Sequence, residues 1–321
     1  MLQRWIVAVL ACLLGASVAS PADEWPSKPI RVIVPYSAGS ASDIIPRTVL
    51  AVAEKRLGQP IVIENRAGGG SIIGTAAVAR APADGYTLLS TSSAFTTVPL
   101  TVASLSYDPL RDFAAILPFA TMTNVLVVSP AKGLKSVDEF VAFARAQAGN
   151  VNYVTIGKGS AAHLNSERFR LSARFEAQPV PYKGSPEGLL DVVTGRVDFY
   201  FCPLLPALSL IREGKLKALA VSSSQRDPLL PDVPTTVEAG YPDSEYDFWF
   251  GLFAPAKTPP AIIARLYQDS AAALQDSGVK AKLANLGVRP WSMTPDQFDA
   301  HVRRELERNR ALVKAAGIVA D

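Results

Sequence analysis

Ile30-Arg-Val-Ile-Val34-Pro-Tyr36-Ser-Ala-Gly39-Ser-Ala-Ser-Asp43 decides how this chain folds. A β-branched run of strand length breaks into Gly and Ser, and the small residues open a helix that Ser42 or Asp43 caps and Gly58 ends after Leu57. The same junction recurs at Ser90-Thr-Ser-Ser-Ala-Phe95 and at Ile156-Gly-Lys-Gly-Ser-Ala-Ala-His163. Small residues leave amides and hydroxyls uncovered at a helix N-terminus, where the partial positive charge favours an anion. These loops hold donors rather than catalysts, the pattern of a protein that grips a small anion.

Outward from this stretch, apolar runs alternate with amphipathic segments, the pattern of an α/β chain whose sheets are covered by helices. Strands are expected at Ile30–Val34, Ile61–Glu64, Tyr86–Ser90, Ala114–Phe119, Val125–Ser129, Val151–Ile156, Pro179–Pro181, Val197–Phe201, Leu216–Val221 and Phe248–Ala254. Ser136 with Glu139, and Thr294-Pro-Asp-Gln297, read as capping boxes. After Ala254 the chain is read as almost wholly helical, packing back on the first domain, and Pro228 to Pro242 as one long surface loop. A chain of 321 residues exceeds what one core usually serves, so two domains are expected. The first takes residues 23–125 and 248–321 and the second 126–247, so the chain crosses twice and the two crossings form a hinge.

Residues 1–22 read as an export signal: Arg4 is the charged start, Trp5 to Ala16 the apolar stretch, and Ser17-Val-Ala19 or Ser20-Pro-Ala22 the cleavage site. The apolar run is shorter than the roughly 20 residues of a spanning helix, so the chain is placed in the periplasm. Val9-Leu-Ala-Cys12 leaves lipid anchoring at Cys12 as the weaker alternative. Without the signal only Cys202 remains, so no internal disulfide forms. The mature chain carries 31 basic and 29 acidic side chains with no block of like charge, which argues against nucleic acid and membrane surfaces as partners.

His163 and His301 are the two histidines, and neither stands at metal-ligand spacing with another donor, so no metal is expected. No nucleotide loop, dinucleotide fingerprint or nucleophile elbow is present, and no cofactor is expected. Ser129-Pro-Ala-Lys132 matches a Ser-x-x-Lys pair without its companion motifs. An exported hydrolase would need a base, and only His163 or an unassigned carboxylate offers one. His163 either faces the ligand or braces its loop, Asp43 either contacts the ligand or caps the helix, and Tyr182 either offers its hydroxyl or packs.

Trp25-Pro-Ser-Lys-Pro-Ile30, Pro35-Tyr-Ser-Ala-Gly39, Glu64-Asn-Arg66-Ala-Gly68, Asp84-Gly-Tyr-Thr-Leu-Leu89 and Tyr107-Asp-Pro109 together resemble the Bug family, the substrate-binding proteins of tripartite tricarboxylate transporters. The resemblance continues through Asn124-Val-Leu-Val-Val128, Val180-Pro-Tyr-Lys-Gly184, Gly195-Arg-Val-Asp198, Leu230-Pro-Asp-Val-Pro-Thr235 and Trp249-Phe-Gly251, and so spans the mature chain. It implies a type II periplasmic-binding-protein fold, two α/β domains joined by a two-stranded hinge. A monomer of that kind closes on a small organic acid and delivers it to the large and small membrane subunits of the transporter. Presentation of the ligand to a sensor kinase is the alternative.

The resemblance places ligand contacts at Tyr36, Ser37, Ala38, Gly39, Ser40, Ala41 and Ser42, at Thr91, Ser92 and Ser93, and at Gly159, Ser160, Tyr182 and Gly184. Asp43, His163 and Cys202 complete the candidate set. Ser40 stands where many relatives have Gly, and Cys202 where many have an Asp that receives an ammonium group. A neutral thiol beside Phe201 therefore favours a dicarboxylate or an aromatic carboxylate over an amino acid, because a buried ammonium without its counter-charge is costly.

Overall fold

A computed structural model describes residues 25–157, 159–182 and 184–318. The signal segment, Cys12, Lys158 and Lys183 lie outside the described residues. In chain order the elements are β1 (Ile30–Val34), α1 (Ala41–Leu57), β2 (Ile61–Asn65), α2 (Ile72–Ala79), β3 (Thr87–Ser92), α3 (Ala94–Thr101), β4 (Phe113–Met122), β5 (Asn124–Val128), α4 (Val137–Ala146) and β6 (Val151–Thr155). They continue with α5 (Ala161–Ala173), β7 (Ala177–Pro181), α6 (Ser185–Val193), β8 (Phe199–Pro203), α7 (Leu204–Arg212), β9 (Lys217–Val221), β10 (Phe248–Pro255), α8 (Pro260–Gln275), α9 (Ser277–Asn285), β11 (Val288–Pro290) and α10 (Pro295–Ala315).

The strands form two sheets, one in the order β11-β4-β10-β3-β1-β2 and the other β7-β6-β8-β5-β9. Each is covered on both faces, which is why its strands read as continuous apolar runs. In β5, Leu126 and Val128 join Phe140, Phe169 and Phe199 on one side, while Val125 and Val127 join Leu189, Val192 and Tyr200 on the other. In the first sheet, Ile30 and Val32 pack with Ile45, Val49 and Leu266, and Ile33 and Leu89 with Phe95, Trp249 and Phe298. Each such side chain contributes about 1.5–3 kcal/mol on burial.

Local signals act as written at several termini. Gly58 closes α1 with φ 74°, and α10 starts with a complete capping box between Thr294 and Gln297. At α4 only half of the box forms: the Ser136 hydroxyl accepts from the Glu139 amide, but the Glu139 carboxylate accepts from Lys135 instead. The residues 228–242 are partly folded in, because Thr235 bridges to Val221 and the Thr236 amide donates to the Val221 carbonyl. β11 is too short for any periodicity to announce it.

The chain passes between sheets at Thr123, since Asn124 already pairs with Pro203, two residues earlier than the sequence boundary suggests. It returns ahead of Phe248, which pairs with Met122. The C-terminal helices cover the first sheet as expected, but α10 also reaches the second lobe. Leu312, Val313 and Ile318 share a cluster with Leu164 of α5 and with Tyr246.

Candidate functional site

Strand directions locate the site. β1, β2 and β3 are parallel, and β10 runs antiparallel to β3 with Phe250 opposite Ser92, so both crossings leave the first sheet at the C-terminal ends of β1 and β3. β6, β7 and β8 are parallel and β5 starts opposite Pro203, so the crossings enter the second sheet at the C-terminal ends of its parallel strands. The carboxyl edges of the two sheets therefore face each other across the hinge.

Each sheet also has a switch point. From β1 the chain goes to β2 on one side and then to β3 on the other, and from β6 to β7 and then to β8. Open α/β sheets bind ligands outside the carboxyl ends of strands at such points. The loops selected are Tyr36–Ser40, Ser92–Ser93, residues 156–160 and the end of β8 at Pro203.

The first loop is held from beneath. Asn65 on β2 donates to the Tyr36 carbonyl at 3.1 Å and to Asp43 Oδ1 at 2.9 Å, while Arg47 reaches Asp43 at 2.8 Å and Asn65 Oδ1 at 2.9 Å. The Gly39 amide donates to Asp43 Oδ2 at 2.9 Å, and Gly39 adopts φ 80° to do so. Burial pushes the Asp43 carboxyl up, but Gly39, Asn65 and Arg47 together carry it below the usual value. Asp43 is thus a brace that shapes the loop.

Neither Ser42 nor Asp43 caps α1: Ser40 stands at the N-cap, its carbonyl accepts from the Asp43 and Ile44 amides at 2.9 Å, and its hydroxyl is buried without a hydrogen bond. Ser37, Ala38 and Gly39 are exposed, and Ala41 and Ser42 are half-buried. The Tyr36 hydroxyl shares hydrogen bonds with Ser92 Oγ at 2.7 Å and Thr91 Oγ1 at 3.3 Å, which directs the ring over the β3 loop. Thr91, Ser92 and Ser93 are themselves buried, and the Ser93 amide donates to the Trp249 carbonyl.

On the other lobe, the Ser160 hydroxyl accepts from the His163 amide at 3.3 Å and meets Thr155 Oγ1 at 3.2 Å. His163 Nδ1 accepts from the Gly159 amide at 3.0 Å, and its ring stacks on Tyr153. His163 therefore braces its loop. Gly159 has φ 73°, and a Cβ built there would stand 3.0 Å from Thr101 Cγ2 at the end of α3. The lobes approach one another at this point.

Two candidates sit otherwise than expected. The Tyr182 hydroxyl donates to Asp191 at 2.7 Å, burial and that hydrogen bond push its phenol up to about 12, and β7 is an edge strand, off the switch point. Gly184, the N-cap of α6, follows it. Cys202 is fully buried among Val125, Val127 and Leu204, with its Sγ donating to the Val125 carbonyl at 3.7 Å, and burial pushes the thiol well up. Strand alternation turns it into the core, so it is not a cleft residue in this structure.

A family model described as the tripartite tricarboxylate transporter family receptor, TctC, matches residues 45–318. The chain belongs to this family. It is 37% identical over 317 residues to the protein BugT of Bordetella pertussis, covering 97% of each. An R. palustris protein solved with adipate is similar at 33% identity and a TM-score of 0.76, covering 93% of this chain and 100% of that one. MatC from Rhodopseudomonas palustris, solved with bound malate, is similar at 31% identity and a TM-score of 0.71, covering 90% and 100%. The two-sheet architecture is that of these periplasmic TctC and Bug binding proteins.

Within this TctC chain, sequence reasoning missed Asn65, Thr101 and Thr155. Asn65 lay inside a quoted motif, but its two bonds depend on β2 lying beside β1, which no local pattern reveals. A concavity of about 460 Å³ between α5 and α10 lies beside Arg168, Arg174 and Arg308 rather than at the strand ends. Among the described residues no helix is long and apolar enough to cross a membrane.

Proposed function

We propose that this chain is an exported, monomeric periplasmic receptor that captures a small organic carboxylate between its lobes and passes it to the membrane subunits of a tripartite tricarboxylate transporter. The observation that carries this reading is the facing of two switch points, each presenting amides or hydroxyls at a helix start, with Gly159 against Thr101 where the lobes approach. Membership in a receptor family, and relatives solved with adipate and malate, support an acid as the ligand. No bond of the ligand changes: His163 is engaged as a brace, and the site grips by closing, because only the closed state offers donors from both lobes.

With Cys202 turned into the core, the thiol no longer supports a dicarboxylate or aromatic acid over an amino acid, and the ligand class within this reading is a small organic acid, as adipate and malate are in the solved relatives. A thermal-shift and calorimetric screen of the mature protein against mono-, di- and tricarboxylates, aromatic acids and amino acids tests it, since a ligand of the folded state raises the melting temperature. Stabilisation by an acid, recovered unchanged after denaturation, is the expected result. Stabilisation by no acid, or turnover of the bound acid, overturns it.

A further inference from the structure

A chamber of about 190 Å³ opens beside Ser160 and runs toward the hinge. Its walls are Met122 and Phe248, which pair across the two crossing strands, together with Ile156, Tyr200 and Phe201. Among the described residues lining it, none carries a charge. Ile156 is 37% exposed, one of the few large apolar side chains left in contact with solvent. Asn124 is also in the wall, only 2% exposed, and its Nδ2 is buried without a partner.

These features describe half of a binding site. An apolar surface left open in a cleft gains on the order of 25 cal/mol per Å² when covered, and a buried amide without a partner is costly until an acceptor arrives. An apolar cavity of about 150 Å³ is known to hold benzene, so the chamber has room for one six-membered ring or a chain of similar bulk. A second carboxylate would find no cationic side chain here among the described residues, and an ammonium no acid.

We propose that this chamber is the specificity subsite, and that the ligand is an acid with an apolar body, a ring or short chain, bearing one uncharged polar atom. The carboxylate sits at the loops around Ser40 and Ser160, the body lies against Met122, Ile156 and Phe248, and the polar atom meets Asn124. The assignment rests on the carboxylate-binding reading above and narrows it. Because Met122 and Phe248 flank the two crossings, the part of the ligand that decides specificity also touches the segments that bend, so an ill-fitting body opposes closure directly.

Calorimetry of the mature protein with 4-hydroxybenzoate, benzoate and succinate tests the assignment. The expected order is 4-hydroxybenzoate, then benzoate, with succinate at least tenfold weaker than the first. Asn124→Leu is expected to weaken 4-hydroxybenzoate roughly fivefold, the size of one net hydrogen bond, while leaving benzoate within about twofold. Ala162→Leu, which fills the chamber from α5, is expected to weaken both aromatic acids and spare succinate. Circular dichroism melts establish that each variant is folded. Succinate binding more tightly than both aromatic acids, or an unchanged hydroxyl preference in folded Asn124→Leu, overturns the chamber assignment and leaves the carboxylate reading standing. Binding of no acid at all removes the carboxylate reading and the chamber with it.

Discussion

The amide of Gly39 donates to Oδ2 of Asp43 at 2.9 Å, so the carboxylate shapes the loop that precedes its own helix. Removing it releases Gly39, Asn65 and Arg47 together. Asp43→Ala is expected to lower the melting temperature by a few degrees and to weaken ligand binding at least tenfold by loosening the Tyr36–Ser40 loop. The held carboxyl lies below its ordinary value of 3.8, so its contribution to stability is present above that pH and is lost as pH falls through the lower, folded value. Wild type should lose stability in that acid range more steeply than the variant, as read from urea melts.

Gly159 offers a test of closure. Alanine there must hold φ 73° and place a Cβ 3.0 Å from Thr101 Cγ2 across the cleft. The left-handed backbone alone costs about 1–2 kcal/mol. Gly159→Ala is expected to weaken ligand binding about tenfold, with the loss in the dissociation rate. Thr101→Ser is expected to restore part of it by removing the methyl group, as measured by stopped-flow release.

Glu305 on α10 is fully buried and accepts from Trp249 Nε1 at 2.7 Å and from the Thr96 hydroxyl at 3.1 Å. Burial pushes this carboxyl up to about 7 from 4.5. The folded state therefore binds a proton that the unfolded state has released, and stability falls as pH rises from 4.5 toward 7. Glu305→Gln keeps an acceptor for both donors without the charge. Its stability should vary less with pH over that window and exceed wild type above it, as followed by denaturant titration at several pH values.

Cys202 supplies a check on the cleft boundary. A thiol with no exposed surface should resist Ellman's reagent in the folded protein and react fully in guanidinium. Fast reaction in the native state would place it in the cleft after all. Cys202→Ala is expected to cost about 1–2 kcal/mol, from lost packing against Val125 and Leu204.

The elements that were legible in the sequence share one property: their signal lies within a few residues. Val32 and Val34 repeat at strand period, Gly58 stops a helix, and Thr294 with Gln297 starts one. The three strand-to-helix loops were visible for the same reason. What the sequence withheld was direction. Cys202 and Phe201 adjoin on β8, and only the pairing of β8 with β5 decides that Cys202 faces Val125 and Phe201 the other side. Tyr182 likewise reads as a donor until α6 brings Asp191 beneath it. β11 gave no pattern because it exists by pairing with β4.

Strand β10 lies between β3 and β4, although some 125 residues separate it from the end of β4. Until Phe248–Pro255 is in place, the first sheet is two fragments with nothing to join them, whereas β5 to β9 come from one uninterrupted stretch. The order of assembly follows from this: the inserted lobe can complete itself early, from near neighbours in the chain, while the lobe that begins first must wait for a late strand to close it. A chain stopped at residue 247 would then hold a folded insert between two unfinished edges, exposing β3 and β4 to pairing with other chains.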